Sequence, residues 1–108
     1  MEMVFFIFKM LEKDFLQSCE TALIALADRV EALDVSGKLE VDYADGILNI
    51  VISESGATYV INRNSGNQKI WYSSPFSGAN YFSFDGSWKD AKGEELTEKL
   101  LAELQKIL

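Results

Sequence analysis

The sequence predicts an α+β fold: a two-layer α/β sandwich in which N- and C-terminal helices pack on one face of a five- to six-stranded antiparallel sheet. Apolar residues recur at three- and four-residue spacing near both ends of the chain, which is typical of amphipathic helices. Between them, short runs of alternating apolar and polar residues are separated by turns too short for parallel crossovers. Both helices should therefore cover one sheet face, and the other face is left to solvent or to a partner.

The first helix is predicted over Leu11–Leu33, and it should end near residues 34–37, where Ser and Gly break the pattern. Its charged residues fall opposite an apolar face. That face is predicted to consist of Leu11, Phe15, Cys19, Ala22, Leu26, Val30 and Leu33. Cys19 lies at the edge of this face and is interpreted as a small hydrophobic side chain, with a functional thiol as the alternative.

Five strands and a short sixth segment follow. Their predicted positions are Leu39–Tyr43, Ile47–Ile52, Thr58–Asn62, the run Ile70–Tyr72, Tyr81–Asp85 and a short segment at Trp88. In the first strand, Glu40 and Asp42 should point to solvent, because side chains alternate between the two faces. The same alternation places Trp71 and Tyr72 on opposite faces, so one ring enters the core and the other lies on the open face.

The connections and the chain ends complete the prediction. A hairpin loop is expected at residues 63–66, and the serine pairs Ser53/Ser55 and Ser73/Ser74 are interpreted as turn residues. The second helix is predicted over Gly93–Leu108, and its buried stripe is predicted to be Leu96, Leu100, Leu104 and Ile107.

Residues 1–10 are predicted to be a leading segment outside a single domain of residues 11–108. The apolar part, Met3–Phe8, is too short to span a bilayer and lacks the flanks of a secretory signal. Three interpretations stay open: a segment that packs opportunistically, an extra turn of the first helix, or the remnant of a targeting sequence.

Composition excludes several classes of function. The chain has 108 residues and a formal net charge of −7, so it should repel the phosphate backbone of nucleic acids. Residues 1–45 contribute ten acids and four bases, so the N-terminal half carries most of the charge. The single cysteine excludes an intramolecular disulfide. Because the chain has no histidine, any bound metal must be held mainly by oxygen.

No arrangement typical of an enzyme is visible. The serines have no histidine to activate them, and the glycines form no phosphate-binding motif such as G-x-G-x-x-G. There is also no C-x-x-C motif. We therefore expect a protein that is not an enzyme; catalysis would have to depend on carboxylates alone.

The carboxylates are the main candidates for binding. Asp28, Glu31 and Asp34 close the first helix, and Glu40 and Asp42 lie on the outer side of the next strand. If that strand is the sheet edge nearest the helix, the two sets form one acidic ridge. Crowded carboxylates bind hard cations weakly through oxygen. The alternative is a solvated face that keeps the domain soluble.

One stretch carries a resemblance to a known family. The sequence T-Y-V-I-N-R, followed by N-Q-K-I-W-Y-S-S-P-F-S-G, resembles the central signature of the frataxin family, bacterial members included. The order of elements on either side fits the same family, so the resemblance covers Leu11 to Leu108. It implies the same two-layer architecture.

The resemblance also implies an iron site, because in frataxins the acidic ridge along the first helix and first strand is the iron-binding surface. The matching positions here are Asp28, Glu31, Asp34, Glu40 and Asp42, with Glu20 and Asp14 as weaker matches. Ala27, Ala32 and Lys38 stand where relatives often carry an acid, so fewer or weaker sites for ferrous or ferric iron are expected.

The open sheet face is the second surface that the resemblance implies. In the family it contacts the iron–sulfur assembly machinery, a cysteine desulfurase and its scaffold protein. The corresponding residues here are Asn62, Lys69 and Trp71, although Lys69 and Tyr81 depart from the usual residues. A tryptophan on a solvated sheet is typical of interface anchors; the alternative is that Trp71 belongs to the core.

The resemblance therefore implies an iron donor or sensor that regulates iron–sulfur cluster assembly. Two alternatives stay open: an acidic protein-interaction module without a physiological metal role, and a carboxylate-based ferroxidase. The lack of an Arg-rich leader favours a bacterial cytoplasmic protein over one processed for the mitochondrial matrix.

Overall fold

The structure, a computed structural model, describes residues 10–108. The predicted leading segment therefore lies outside the described residues, except for Met10. The elements in chain order are α1 (Glu12–Leu33), β1 (Leu39–Ala44), β2 (Ile47–Ile52), β3 (Thr58–Asn64), β4 (Lys69–Ser74), β5 (Gly78–Phe84), β6 (Trp88–Lys89) and α2 (Leu96–Gln105).

The strands form one six-stranded sheet in the order β1-β2-β3-β4-β5-β6. Every neighbouring pair is antiparallel. Short turns connect the strands, so the sheet is a simple meander. The predicted α+β sandwich with an antiparallel sheet is confirmed.

The core lies between the helices and the inner face of the sheet. Its largest fully buried side chains include Phe15, Tyr59, Tyr72 and Phe82. The Tyr72 ring packs edge-on against Tyr59 and Phe82, with ring centroids 6.1 and 5.6 Å apart. Such pairs add about 0.5–1.5 kcal/mol each to the free energy of burial. The inward position predicted for Tyr72 is therefore confirmed.

The buried face of helix α1 differs from the predicted one. Leu11 was expected in the core, but it is the extended residue before the helix and is 66% exposed. Leu23 and Ala27 are buried instead, and Ala22 is only half-buried. The apolar stripe is therefore displaced around the helix toward Leu23. Cys19 lies inside the core rather than at its edge, as a small hydrophobic side chain.

Two strand boundaries also differ. Strand β3 continues to Asn64, so the hairpin turn lies at residues 65–68 rather than 63–66. Ser73 and Ser74 belong to β4 and are not turn residues, because β4 pairs through Ser74 with Gly78 at the start of β5. Strand β5 consequently begins three residues earlier than Tyr81, its predicted start.

Helix α2 is shorter than the predicted Gly93–Leu108 and spans Leu96–Gln105. The Asp90 carboxylate accepts hydrogen bonds from two backbone N–H groups of the preceding loop, which holds that loop outside the helix. Glu95 then caps the helix by accepting a hydrogen bond from the Glu98 N–H. In the predicted stripe, Leu96, Leu100 and Leu104 are buried and Ile107 is half-buried.

Candidate functional site

The predicted acidic residues lie along one edge of the molecule. Strand β1 is the edge strand of the sheet, and α1 packs against its inner side. We define the acidic edge as Glu20, Asp28, Glu31, Asp34, Glu40 and Asp42. Asp34 is half-buried and the others are exposed. Asp14, the other weaker match, is exposed in the first turn of α1, at the opposite end of the helix from Asp34.

Three carboxylates of the acidic edge already have partners within the fold. Asp34 follows the last residue of α1 and accepts hydrogen bonds from the Lys38 and Leu39 N–H groups, at 2.8 and 2.9 Å. Glu20 accepts a hydrogen bond of 3.4 Å from the Tyr43 hydroxyl. Glu40 likewise accepts one from a serine hydroxyl of the β2–β3 turn. These three carboxylates therefore help to hold α1 and β1 in place, and Asp34 makes the shortest hydrogen bonds of the three.

The remaining three, Asp28, Glu31 and Asp42, make no hydrogen bond to the part of the chain that the structure describes. Asp28 and Glu31 are i,i+3 neighbours on α1, with Cβ atoms about 5–6 Å apart. Nowhere in residues 10–108 do three Asp, Glu, His or Cys side chains gather closely enough to hold one metal ion. The acidic edge therefore offers single or paired exposed carboxylates, suited to a cation that keeps most of its water ligands.

The open sheet face carries a continuous row of side chains. The strand register places Ala44 opposite Ile47, Ile47 opposite Asn62, Asn62 opposite Trp71, and Trp71 opposite Tyr81. We call these five residues the Trp71 row. Ile47 is 42% and Tyr81 39% exposed, and Trp71 is half-buried.

Within the Trp71 row, the two rings support each other. Trp71 and Tyr81 pack edge-on, with ring centroids 4.8 Å apart. The Asn62 side chain donates to the Arg63 carbonyl at 3.0 Å, which fixes its orientation beside Trp71. Lys69 lies two residues before Trp71 on the same face and is half-buried. The outward position predicted for Trp71 is confirmed. The alternative, that Trp71 belongs to the core, is wrong.

Sequence reasoning missed Ile47 as a member of this surface. The alternation of β2 contained the signal, but the residue's neighbours depend on the register between β2 and β3. The family resemblance identifies Tyr81 only as a departure from the usual residue, whereas in the structure Tyr81 packs directly against Trp71.

A separate polar cluster joins α2 to the sheet. The Glu103 carboxylate accepts hydrogen bonds from the hydroxyls of Ser74 at 2.6 Å, Ser77 at 2.7 Å and Tyr59 at 3.0 Å. Lys99 forms an ion pair with the same carboxylate at 3.6 Å. Burial alone would raise the pKa of Glu103, but the hydrogen bonds outweigh it and hold the pKa below its ordinary value. None of these groups belongs to the acidic edge, and we assign the cluster to stability.

The fold and its two surfaces define a small acidic α+β sandwich with an open aromatic sheet face. Residues 8–108 match the family model of the frataxin-like domain, nearly the whole chain. The chain therefore belongs to the frataxin family, as its central signature suggests.

Its relatives include frataxins from three eukaryotes. The chain is 41% identical over 81 residues to "Frataxin, mitochondrial" of Caenorhabditis elegans, which covers 72% of this chain and 60% of the relative. It is 35% identical over 100 residues to "Frataxin homolog, mitochondrial" of Drosophila melanogaster, covering 83% and 53%. It is 37% identical over 87 residues to "Frataxin, mitochondrial" of Dictyostelium discoideum, covering 74% and 45%. The chain thus spans less than two thirds of each relative's length.

Solved structures of frataxins have the same fold. A crystal structure of trimeric frataxin from the yeast Saccharomyces cerevisiae, complexed with ferrous, has a TM-score of 0.71 at 32% identity and covers 82% of each chain. Frataxin from Psychromonas ingrahamii has a TM-score of 0.73 over 90% of each chain, and at 17% identity it supports the fold alone. Within residues 10–108, no helix has both the length and the apolar character needed to cross a membrane.

Proposed function

We propose that this chain is an iron-binding adaptor that regulates iron–sulfur cluster assembly by docking on a cysteine desulfurase and its scaffold protein. The observation that carries the proposal is the Trp71 row, a mostly apolar strip on the open face of a sheet whose β1 edge, with the adjoining helix α1, bears the free carboxylates. Membership of the frataxin family and the ferrous complex of the yeast relative support the iron half of the proposal.

Iron would bind at Asp28, Glu31 and Asp42, because these carboxylates are exposed and make no internal hydrogen bond. Each would supply one or two oxygens, and water would complete the coordination. Binding of this kind is weak and exchangeable, which suits a protein that passes iron on or senses its concentration. We propose no catalytic role, since exposed carboxylates fix no geometry for turnover.

The Trp71 row would form the centre of the docking surface. Tryptophan and tyrosine at the middle of an interface typically supply most of its binding energy, at 2 kcal/mol or more for the best anchors (roughly 30-fold in affinity). Trp71 is held by Tyr81 before any partner arrives, so little side-chain entropy is lost on docking.

The test is to measure the affinity of Trp71→Ala for the purified desulfurase–scaffold complex by biolayer interferometry. We expect binding at least about tenfold weaker than that of the unmodified protein. Val35→Ala is the matched control, because Val35 is 93% exposed and lies in the turn after α1, not on the open face. Unchanged affinity of Trp71→Ala, with a normal thermal transition, would remove the docking half of the proposal.

A second candidate is an acidic interaction module in which metal has no role. It is favoured by one observation: half of the acidic edge is engaged inside the fold, and no three acids gather around one point in the described chain. The variant Asp28→Asn/Glu31→Gln distinguishes the two. Partner binding weakened equally with and without ferrous iron indicates the interaction module, whereas loss of iron binding with intact docking indicates the iron adaptor.

The compartment is also part of the proposal. The sequence predicts the bacterial cytoplasm, with the mitochondrial matrix as the alternative; because three relatives are named as mitochondrial proteins, we propose the mitochondrial alternative.

A further inference from the structure

The side of the sheet opposite the acidic edge carries a groove that adjoins the Trp71 row at Lys69 and Tyr81 and that neither proposed surface explains. Strand β6 has only two residues and pairs with Ser83 and Phe84 of β5. In residues 10–108, no strand pairs with residues 78–82 on the side away from β4, so this stretch of β5 is a free sheet edge. A groove of about 810 Å³ runs beside it, walled on the far side by the loop of residues 90–94.

The far wall of the groove is fixed. The Asn80 side chain donates a hydrogen bond of 2.9 Å to the Asp90 carboxylate. The same carboxylate accepts hydrogen bonds from the Lys92 and Glu94 N–H groups, at 3.0 and 2.9 Å. The charge of Asp90 is thus engaged in holding the loop against β5, and the groove keeps its shape without a ligand.

The groove concentrates positive charge in an acidic protein. Four of the ten basic side chains of the chain line it, against three of the seventeen acids. Within residues 10–108, the recorded ion pair joins Lys99 to Glu103, so Lys69, Lys89 and Lys92 have no carboxylate partner there. Asp85 and Glu94 are the other acids of the lining, and both are exposed.

We propose that this groove binds an extended acidic peptide segment of a partner protein, which adds as a strand to the free edge of β5. The unpaired backbone of Gly78–Phe82 would supply main-chain hydrogen bonds, as in other complexes formed by strand addition. Acidic side chains at alternate positions of the peptide would meet Lys89 and Lys92. The site is distinct from the acidic edge and needs no iron.

Lysines beside a free strand have another common use, which is to prevent pairing with a second copy of the same chain. The two roles predict different results when the lysines are removed. If the lysines bind a peptide, removing them weakens peptide binding. If they only protect the edge, removing them causes self-association and leaves peptide binding unchanged.

The experiment is an NMR titration of the full ¹⁵N-labelled chain with a capped octapeptide of alternating Glu and Val. We expect shifts confined to Gly78–Phe82 and residues 89–93, and affinity about five- to tenfold weaker in Lys89→Ala/Lys92→Ala. The matched control is Lys13→Ala/Lys38→Ala, which removes two exposed lysines outside the groove and should leave affinity unchanged.

A Gln-Val peptide of the same length tests the charge and should bind more weakly than the Glu-Val peptide. The proposal is overturned if millimolar Glu-Val peptide shifts no signal of β5, or if Lys89→Ala/Lys92→Ala binds it with unchanged affinity. Sedimentation of that variant as a dimer, with peptide binding intact, would assign the lysines to protection of the edge. None of these outcomes depends on iron or on Trp71.

Discussion

Replacing Glu103 by alanine should destabilise the domain strongly, although the residue lies outside both proposed binding surfaces. The substitution removes the acceptor of three hydroxyl hydrogen bonds. Ser74 and the Tyr59 side chain are buried, so their hydroxyls would lose a partner without gaining free access to water. At about 1–3 kcal/mol for each orphaned group, we expect a loss of about 3 kcal/mol in the free energy of unfolding. The lost ion pair to Lys99 adds only about 0.5 kcal/mol.

The assay is urea unfolding at pH 7 followed by far-UV circular dichroism, with a thermal scan as a second measurement. A loss of about 3 kcal/mol corresponds to a decrease of roughly 15 °C in Tm for a domain of this size. Glu98→Ala is the matched control, since Glu98 is exposed on the same helix and its carboxylate makes no recorded hydrogen bond. A loss below about 1 kcal/mol, or an equal loss in the control, would refute the role assigned to the cluster.

The Glu103 carboxylate should also make the stability of the domain depend on pH. The folded-state pKa of Glu103 is held below its ordinary value of 4.5, because the hydrogen bonds outweigh the effect of burial. Its contribution to stability is therefore fully present above about pH 4.5 and is lost as the pH falls through the folded-state pKa. The difference in stability between the unmodified protein and Glu103→Gln should be constant at neutral pH and should narrow below pH 4.5. A difference independent of pH down to pH 3 would contradict this assignment.

Two further predictions concern the core. The buried Tyr72 hydroxyl has no hydrogen-bond partner in the described chain. Tyr72→Phe should therefore leave the free energy of unfolding unchanged or raise it by up to about 1 kcal/mol. A loss of more than about 1 kcal/mol would show that the hydroxyl has a partner. Burial raises the pKa of the Cys19 thiol to about 11, with a smaller opposing effect of the nearby Arg63 charge. Iodoacetamide should therefore modify Cys19 no faster than the domain unfolds, and rapid modification of the folded protein would contradict its place in the core.

The elements that the sequence predicted correctly depend on local pattern. Trp71 and Tyr72 must occupy opposite faces whatever else the chain does, so their placement followed from alternation alone. The choice of which ring is buried needed the family resemblance. In α1 the type of element was predicted correctly, but the burial of Leu23 and Ala27 was not, because packing against the sheet decides how the helix rotates about its axis.

The elements that it missed depend on contacts between distant residues. The sequence predicts a turn at Ser74, whereas the Ser74 hydroxyl donates a hydrogen bond to the carboxylate of Glu103, 29 positions later in the chain. The sequence predicts Asp34 as a candidate metal ligand, but in the structure its carboxylate stabilises the turn after α1 by accepting hydrogen bonds from two backbone N–H groups. The sequence shows that a carboxylate is present, and the structure shows whether it is already engaged. This distinction leaves Asp28, Glu31 and Asp42 as the best candidates among the six carboxylates of the acidic edge.

We propose that the exposed carboxylates of the acidic edge bind iron and that the side chains of the Trp71 row do not. The most direct test is an anaerobic titration of the ¹⁵N-labelled protein with ferrous iron, followed residue by residue by NMR, with Asp28→Asn/Glu31→Gln measured in parallel. We predict paramagnetic broadening centred on Asp28, Glu31 and Asp42, little change at Trp71, and marked loss of the broadening on α1 in the variant. No localised broadening at millimolar iron, or broadening identical in the variant, would contradict the claim.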